Sequence, residues 1–111
     1  MPPLSGYVLA PLSIPEQVAL AVIRYFPADQ WGNALNVARL ESGWNPEAHN
    51  TAGEDSRGIF QVNIAPGANP RYADRDLFDV ETNVAVASEI YRGWQNWGAW
   101  YNSAVALGLP T

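Results

Sequence analysis

The stretch Leu40-Glu41-Ser42-Gly43-Trp44-Asn45-Pro46 places a carboxyl group where helix geometry makes it unusual. Helical spacing sets Glu41 three residues beyond Ala38 and six beyond Leu35, on the border of an apolar stripe. Gly43, followed by Pro46, stops the helix just past it, so Glu41 falls in a last turn whose unpaired carbonyls disfavour negative charge. A carboxyl there, shielded by an aromatic such as Trp44, should keep its proton to a higher pH than a free Glu. That is what a general acid acting on a glycosidic oxygen requires. On these residues alone a solvated helix-end Glu is still the commoner outcome, so other chemistry-bearing residues have to support the reading.

Two further groups of polar residues bear on it. Glu54 and Asp55 lie in a turn-rich stretch, residues 45 to 57, and offer a second carboxylate. His49 is close to both in sequence, but the spacing matches no zinc motif and one His is thin support, so neither metal nor cofactor is expected. The chain has no Gly-rich phosphate loop, nucleophile elbow or Cys/His pair.

The elements that must position these residues can be read from caps and periodicity. Ser13-Ile14-Pro15-Glu16 is a capping-box start for a helix through Val18, Val22 and Ile23, closed at Pro27. Asp29 is expected to cap a second helix, with Trp31, Ala34, Leu35 and Ala38 on its apolar side. Gly58 to Ile64 is too short for an ordinary helix, which points to a brief strand or tight turn, with a Pro/Gly-rich loop from Ala65 to Arg71. Asp79 is expected to cap a third helix carrying Val80, Val84, Ala87 and Tyr91. A last helix should follow a break at Gly98.

With 111 residues, 48% of them hydrophobic and 15% charged, the chain is expected to form one domain, residues 1–111, around a single core. The five Trp and five Tyr fill that core or line a groove for sugar rings, and both uses are open. A net charge of −5 weighs against nucleic acid, which demands clustered Lys and Arg. No cysteine is present, so disulfides and thiolate sites are excluded. Met1 to Pro15 lack the basic start and apolar run of a signal peptide, and no segment has the roughly 20 apolar residues of a membrane span.

Leu40-Glu41-Ser42-Gly43-Trp44-Asn45-Pro46-Glu47-Ala48 resembles the Glu-Ser motif of the soluble-lytic-transglycosylase type domain. Gly58-Ile59-Phe60-Gln61-Val62 is similar to that family's Gly-Leu-Met-Gln-Ile segment, with Phe60 in place of Met. Leu77-Phe78-Asp79 with Asn83 resembles its Asn-bearing helix, and Ala99-Trp100-Tyr101-Asn102-Ser103 its Ala-Tyr-Asn-Ala-Gly motif, with Ser103 in place of Ala. The order and spacing of four blocks are more specific than the Glu-Ser pair. The set resembles the compact versions found in phage tail and lysis proteins.

The resemblance implies an all-α, mainly helical lysozyme-like fold with a minimal β element around residues 56–64. It implies Glu41 as catalytic acid and Ser42, Gly58, Gln61, Asn83 and Tyr101 as substrate-binding or acid-orienting residues. Ser42 would orient the acid, Gln61 would face the cleft, Gly58 would let the backbone approach the glycan, Asn83 would hold a loop or contact sugar, and Tyr101 would lie near Glu41. The implied partner is bacterial peptidoglycan, with no nucleic acid and no membrane. The site of action would be the cell wall, reached from a phage particle or at lysis. An acidic chain gains nothing from free diffusion to an anionic wall, which favours delivery by a larger assembly.

Three functions are compatible with these motifs. A lytic transglycosylase, the preferred reading, cleaves between N-acetylmuramic acid and N-acetylglucosamine with Glu41 alone and leaves a 1,6-anhydro sugar. An inverting muramidase of the goose-lysozyme kind would add Asp55 or Glu54 as base. A silent glycan-binding or virion structural module would need no protonated acid.

Overall fold

The computed structural model describes residues 10–111, so the signal-peptide expectation falls outside the described residues as far as residues 1–9 are concerned. Helix α1, Ile14–Tyr25, begins on the expected capping box: the Glu16 amide donates to Ser13 Oγ at 3.3 Å and the Ser13 amide to Glu16 Oε1 at 3.0 Å. Val18, Ala21 and Val22 recur at helical spacing and form its buried face. That face packs on α3, Val80–Trp94, which buries Val80, Val84, Ala87 and Ile90 in return. Asp79 caps α3, accepting from the Thr82 amide at 3.0 Å.

Helix α2, Trp31–Ser42, departs from expectation at its start. Asp29 does not cap it, because the chain first makes a 3-10 turn over Ala28–Gln30 and leaves Gln30 at the cap position without a side-chain cap bond. Tertiary bonds hold this end instead. The Trp31 indole N–H donates to the Phe26 carbonyl at 2.9 Å, and Gln30 Oε1 accepts from Trp97 Nε1 at 2.9 Å and Asn33 Nδ2 at 3.1 Å. At the other end Gly43 closes the helix in the left-handed region, φ 62°, as its position in the sequence predicted.

Between α2 and α3 lies a three-stranded antiparallel sheet of two-residue strands: β1 His49–Asn50, β2 Ser56–Arg57 and β3 Val62–Asn63. His49 pairs with Arg57 and Asn50 with Ser56; Ser56 pairs with Asn63 and Arg57 with Val62. The fold is thus mainly helical with a small β element, which begins at His49, earlier than the expected residues 56–64. The Pro/Gly-rich loop contains a 3-10 turn at Pro70–Tyr72, and a second at Gly98–Trp100 leads into α4, Tyr101–Leu107. No helix of the described residues is long and apolar enough to cross a membrane.

The aromatic residues go mostly to the core. Phe26 stacks on Phe60 and Trp97 at centroid distances of 5.6 and 5.7 Å, and Trp100 meets Phe60 edge-on at 5.8 Å. Trp31 and Trp44 pack against that cluster while Trp94 is exposed, so of the two uses open to Trp, core filling took four of five.

Candidate active site

Glu41 occupies the penultimate position of α2 and is partly buried where α2 meets α4. Ser103, from α4, donates its hydroxyl to Glu41 Oε2. Three influences act on the carboxyl. Burial raises its pKa above the ordinary Glu value and is the largest; the Ser103 hydroxyl lowers it; the negative charge of Glu54 raises it. The net shift is upward.

The loop after α2 is built to hold this helix end. Ser42 Oγ donates to the Ile59 carbonyl at 2.7 Å and to its own helix at Ala38 O, 3.2 Å, tying α2 to the segment Gly58–Gln61. The hydroxyl is therefore engaged with backbone carbonyls. Trp44 sits in the left-handed region at φ 59°, and its indole N–H donates back to the Leu35 carbonyl at 3.0 Å. The ring thus reaches back along α2, and the hydrogen-bond partner of Glu41 is Ser103. Gln61 is also left-handed at φ 49°, its amide nitrogen donating to Ala48 O at 3.0 Å and Gly58 O at 3.1 Å. Left-handed backbone at a bulky residue costs of order 1 kcal/mol, and two such residues, Trp44 and Gln61, lie in the irregular segment between α2 and α3.

Gly58 and Asn83 form the support beneath. Asn83 is fully buried and its amide is fully used: Oδ1 accepts from the Phe60 amide at 2.8 Å, while Nδ2 donates to Arg57 O at 2.8 Å and Leu77 O at 2.9 Å. Of the two roles open to Asn83 in the sequence, holding a loop is the one its bonds serve. Gly58 has φ +74°, and a Cβ there would lie 2.1 Å from Leu77 O and 2.5 Å from Asn83 Nδ2. Its lack of a side chain is thus required by packing on Leu77 and Asn83, a reason different from the glycan approach expected of it.

The two loop carboxylates differ. Asp55 accepts from Arg57 Nε and Nη2 at 2.9 and 3.0 Å and pairs with His49 Nε2 at 2.8 Å. The Arg57 bonds, and then the His49 bond, hold its pKa below the ordinary Asp value. Glu54 is partly buried, and it is Glu54 whose charge reaches Glu41.

Tyr101 is carried on the same element as Ser103. It opens α4, is 60% exposed, and lies two residues before Ser103, about 200° away around the helix. The α4 hydroxyl bonded to Glu41 is that of Ser103. Only its substitution for Ala in the fourth motif distinguished Ser103 in the sequence, and nothing local pointed to a partner on α2.

A partly buried helix-end carboxyl with a raised pKa thus lies in a mainly helical domain with a small irregular sheet. The chain belongs to the family described as lysozyme-like domain, whose family model matches residues 18–102. Its function is accordingly of the kind that acts on peptidoglycan as a glycosidase or transglycosylase, at the cell wall. No curated protein and no solved structure matches the chain.

Proposed function

We propose that the chain is a peptidoglycan lytic transglycosylase in which Glu41 acts first as acid and then as base. Protonated Glu41 gives its proton to the oxygen joining N-acetylmuramic acid to N-acetylglucosamine, and the C1–O bond breaks. The N-acetyl carbonyl of the muramic sugar supports the cationic C1. The Glu41 carboxylate then takes the proton of the C6 hydroxyl as that oxygen bonds to C1. The product is a 1,6-anhydro sugar, no water is consumed, and Glu41 returns protonated.

The observation that carries this reading is the contrast between Glu41 and Asp55. Glu41 is partly buried with a raised pKa, whereas Asp55 has both carboxylate oxygens taken by Arg57 and His49. A base for an inverting hydrolysis takes a proton from water, and the Arg57 and His49 bonds that lower the Asp55 pKa make it a weaker base for that step. Glu54 supports the second reading, because its charge reaches Glu41 and an inverting muramidase needs a second carboxylate across the cleft. The acidic net charge fits delivery to the wall by a larger assembly such as a phage particle.

Mass spectrometry of digested wall material separates the two, since anhydro and reducing ends differ by one water. The expected products carry anhydro ends, with Glu54→Gln and Asp55→Asn each retaining most of the activity. Glu41→Gln should lose several powers of ten in rate while remaining folded. Reducing ends, together with a loss of roughly 10²–10⁴-fold in Glu54→Gln, would establish the muramidase instead.

A further inference from the structure

We infer that Ser103 is a positioning residue for the Glu41 carboxyl, holding Oε2 from α4 so that Oε1 is left to exchange the proton with substrate. The inference rests on Glu41 being the catalytic acid and adds a residue that the acid assignment does not require.

The direction of the hydroxyl is the first observation. A serine within a helix commonly returns its hydroxyl to a carbonyl three or four residues back. Ser88 does so to Ala85 O at 2.7 Å, and Ser42 shares its hydroxyl between Ala38 O of its own helix and the Ile59 carbonyl. Ser103 is buried like Ser88, at 6% against 2% exposure, yet sends its hydroxyl out of α4 to a carboxylate oxygen 62 residues away.

The second observation is how firmly α4 is delivered. Trp100 Nε1 donates to the Phe60 carbonyl at 2.8 Å, Trp97 Nε1 to Gln30 Oε1 at 2.9 Å, and the Trp97 amide to Pro110 O at 3.0 Å. Both indoles are buried in the aromatic cluster, so the turn feeding α4 is anchored to the loop at Phe60 and to the start of α2. On the other side, Ser42 ties the end of α2 to Ile59. Glu41 and Ser103 are thereby carried on two elements fixed to the same core.

The chemistry follows from the donor. When Glu41 has given up its proton, the hydroxyl donates a charge-assisted bond to Oε2 and stabilises the carboxylate. When Glu41 is protonated, the same hydroxyl can rotate, so it serves both halves of the cycle. It opposes burial and the charge of Glu54, the charged group whose field reaches Glu41 among the described residues. With one oxygen held, the carboxyl has fewer orientations to lose before proton transfer.

The test compares Ser103→Ala, Ser103→Thr and Glu41→Gln with the natural chain, by pH profiles of wall-glycan cleavage and by carbon-13 NMR titration of the Glu41 carboxyl. Alanine suits a helix, so the first variant keeps α4 while deleting the donor. In Ser103→Ala the expected kcat is lower by roughly 10- to 100-fold, the range of a lost bond to a charged group, with KM little changed. Its alkaline limb and its carboxyl titration should both move to higher pH, and Ser103→Thr should bring both back toward the natural values. A slower Ser103→Ala enzyme with limb and titration unmoved would mean a structural role only, and would overturn the inference; so would a profile identical to the natural one. Should Glu41→Gln keep its activity, the acid assignment itself falls and takes this inference with it.

Discussion

Glu41 is a residue whose functional setting should be measurable as instability. Its folded-state pKa is raised by burial, then lowered in part by Ser103 and raised again by Glu54. A carboxyl with a folded pKa above its unfolded value of about 4.3 favours the fold fully below that value. That contribution is lost as pH rises through the folded pKa, because the buried group must then ionise. Glu41→Gln removes the ionisation. The variant should therefore gain thermal stability relative to the natural chain as pH rises from about 4 to neutrality, with the difference smallest at the acid end. Melting curves across that range check the sign, and a Tm difference that shrinks with rising pH would contradict the burial of the carboxyl. Greater stability with lost activity is the pattern expected of a site kept strained for function.

At the scale of elements, the segment from Ser56 to Asn63 buries Ile59, Phe60 and Val62 in the core, and two of its backbone polar groups, the Arg57 carbonyl and the Phe60 amide, depend on one side chain of α3. Asn83 satisfies the Phe60 amide and the carbonyls of Arg57 and Leu77 at once. Asn83→Ala leaves these groups without partners in a fully buried position, and orphaned buried polar groups cost about 1–3 kcal/mol each. The variant should lose at least about 2 kcal/mol in urea unfolding. Since Ser42 bonds to Ile59 in the same segment, the loss should extend to wall cleavage even at temperatures where the variant is still folded. A variant as stable as the natural chain would show that solvent replaces the amide without cost. By contrast, the Arg24–Glu81 pair at 2.7 Å links α1 to α3 on the surface, where solvent screening leaves an ion pair worth little.

The whole molecule carries a net charge of −5, which works against encounter with an anionic wall. Repulsion between exposed charges is screened over a Debye length of about 10 Å at 0.1 M salt. The isolated chain should therefore cleave wall material faster as ionic strength rises from roughly 0.01 to 0.1 M, opposite to the behaviour of a basic lytic protein. Turbidity clearing of purified walls at several salt concentrations reads this directly. A rate that falls with added salt would mean that a local basic surface, and not the net charge, governs encounter.

What the sequence by itself determined was the local part of the design. Ser13 with Glu16 specified one helix start, Asp79 another, Gly43 a helix end, and the spacing of Val18, Val22, Val84 and Ala87 the faces that pack. These features depend on neighbours within one turn, and short-range chemistry is legible in linear order. The same reasoning put Glu41 in a last helical turn, and the motif order carried the family. Tertiary structure decided the rest. It replaced the expected Asp29 cap with bonds from Trp31 and Trp97, and it assigned the Gly58 backbone to a close approach by Leu77 and Asn83. It also set Ser103 against the carboxyl and separated Glu54 from the ion-paired Asp55. Each of these depends on which residues distant in sequence meet, and on which face of α4 is turned toward α2. A periodicity can say which face is apolar, but only packing against a particular neighbour says which side chain on that face reaches a given atom.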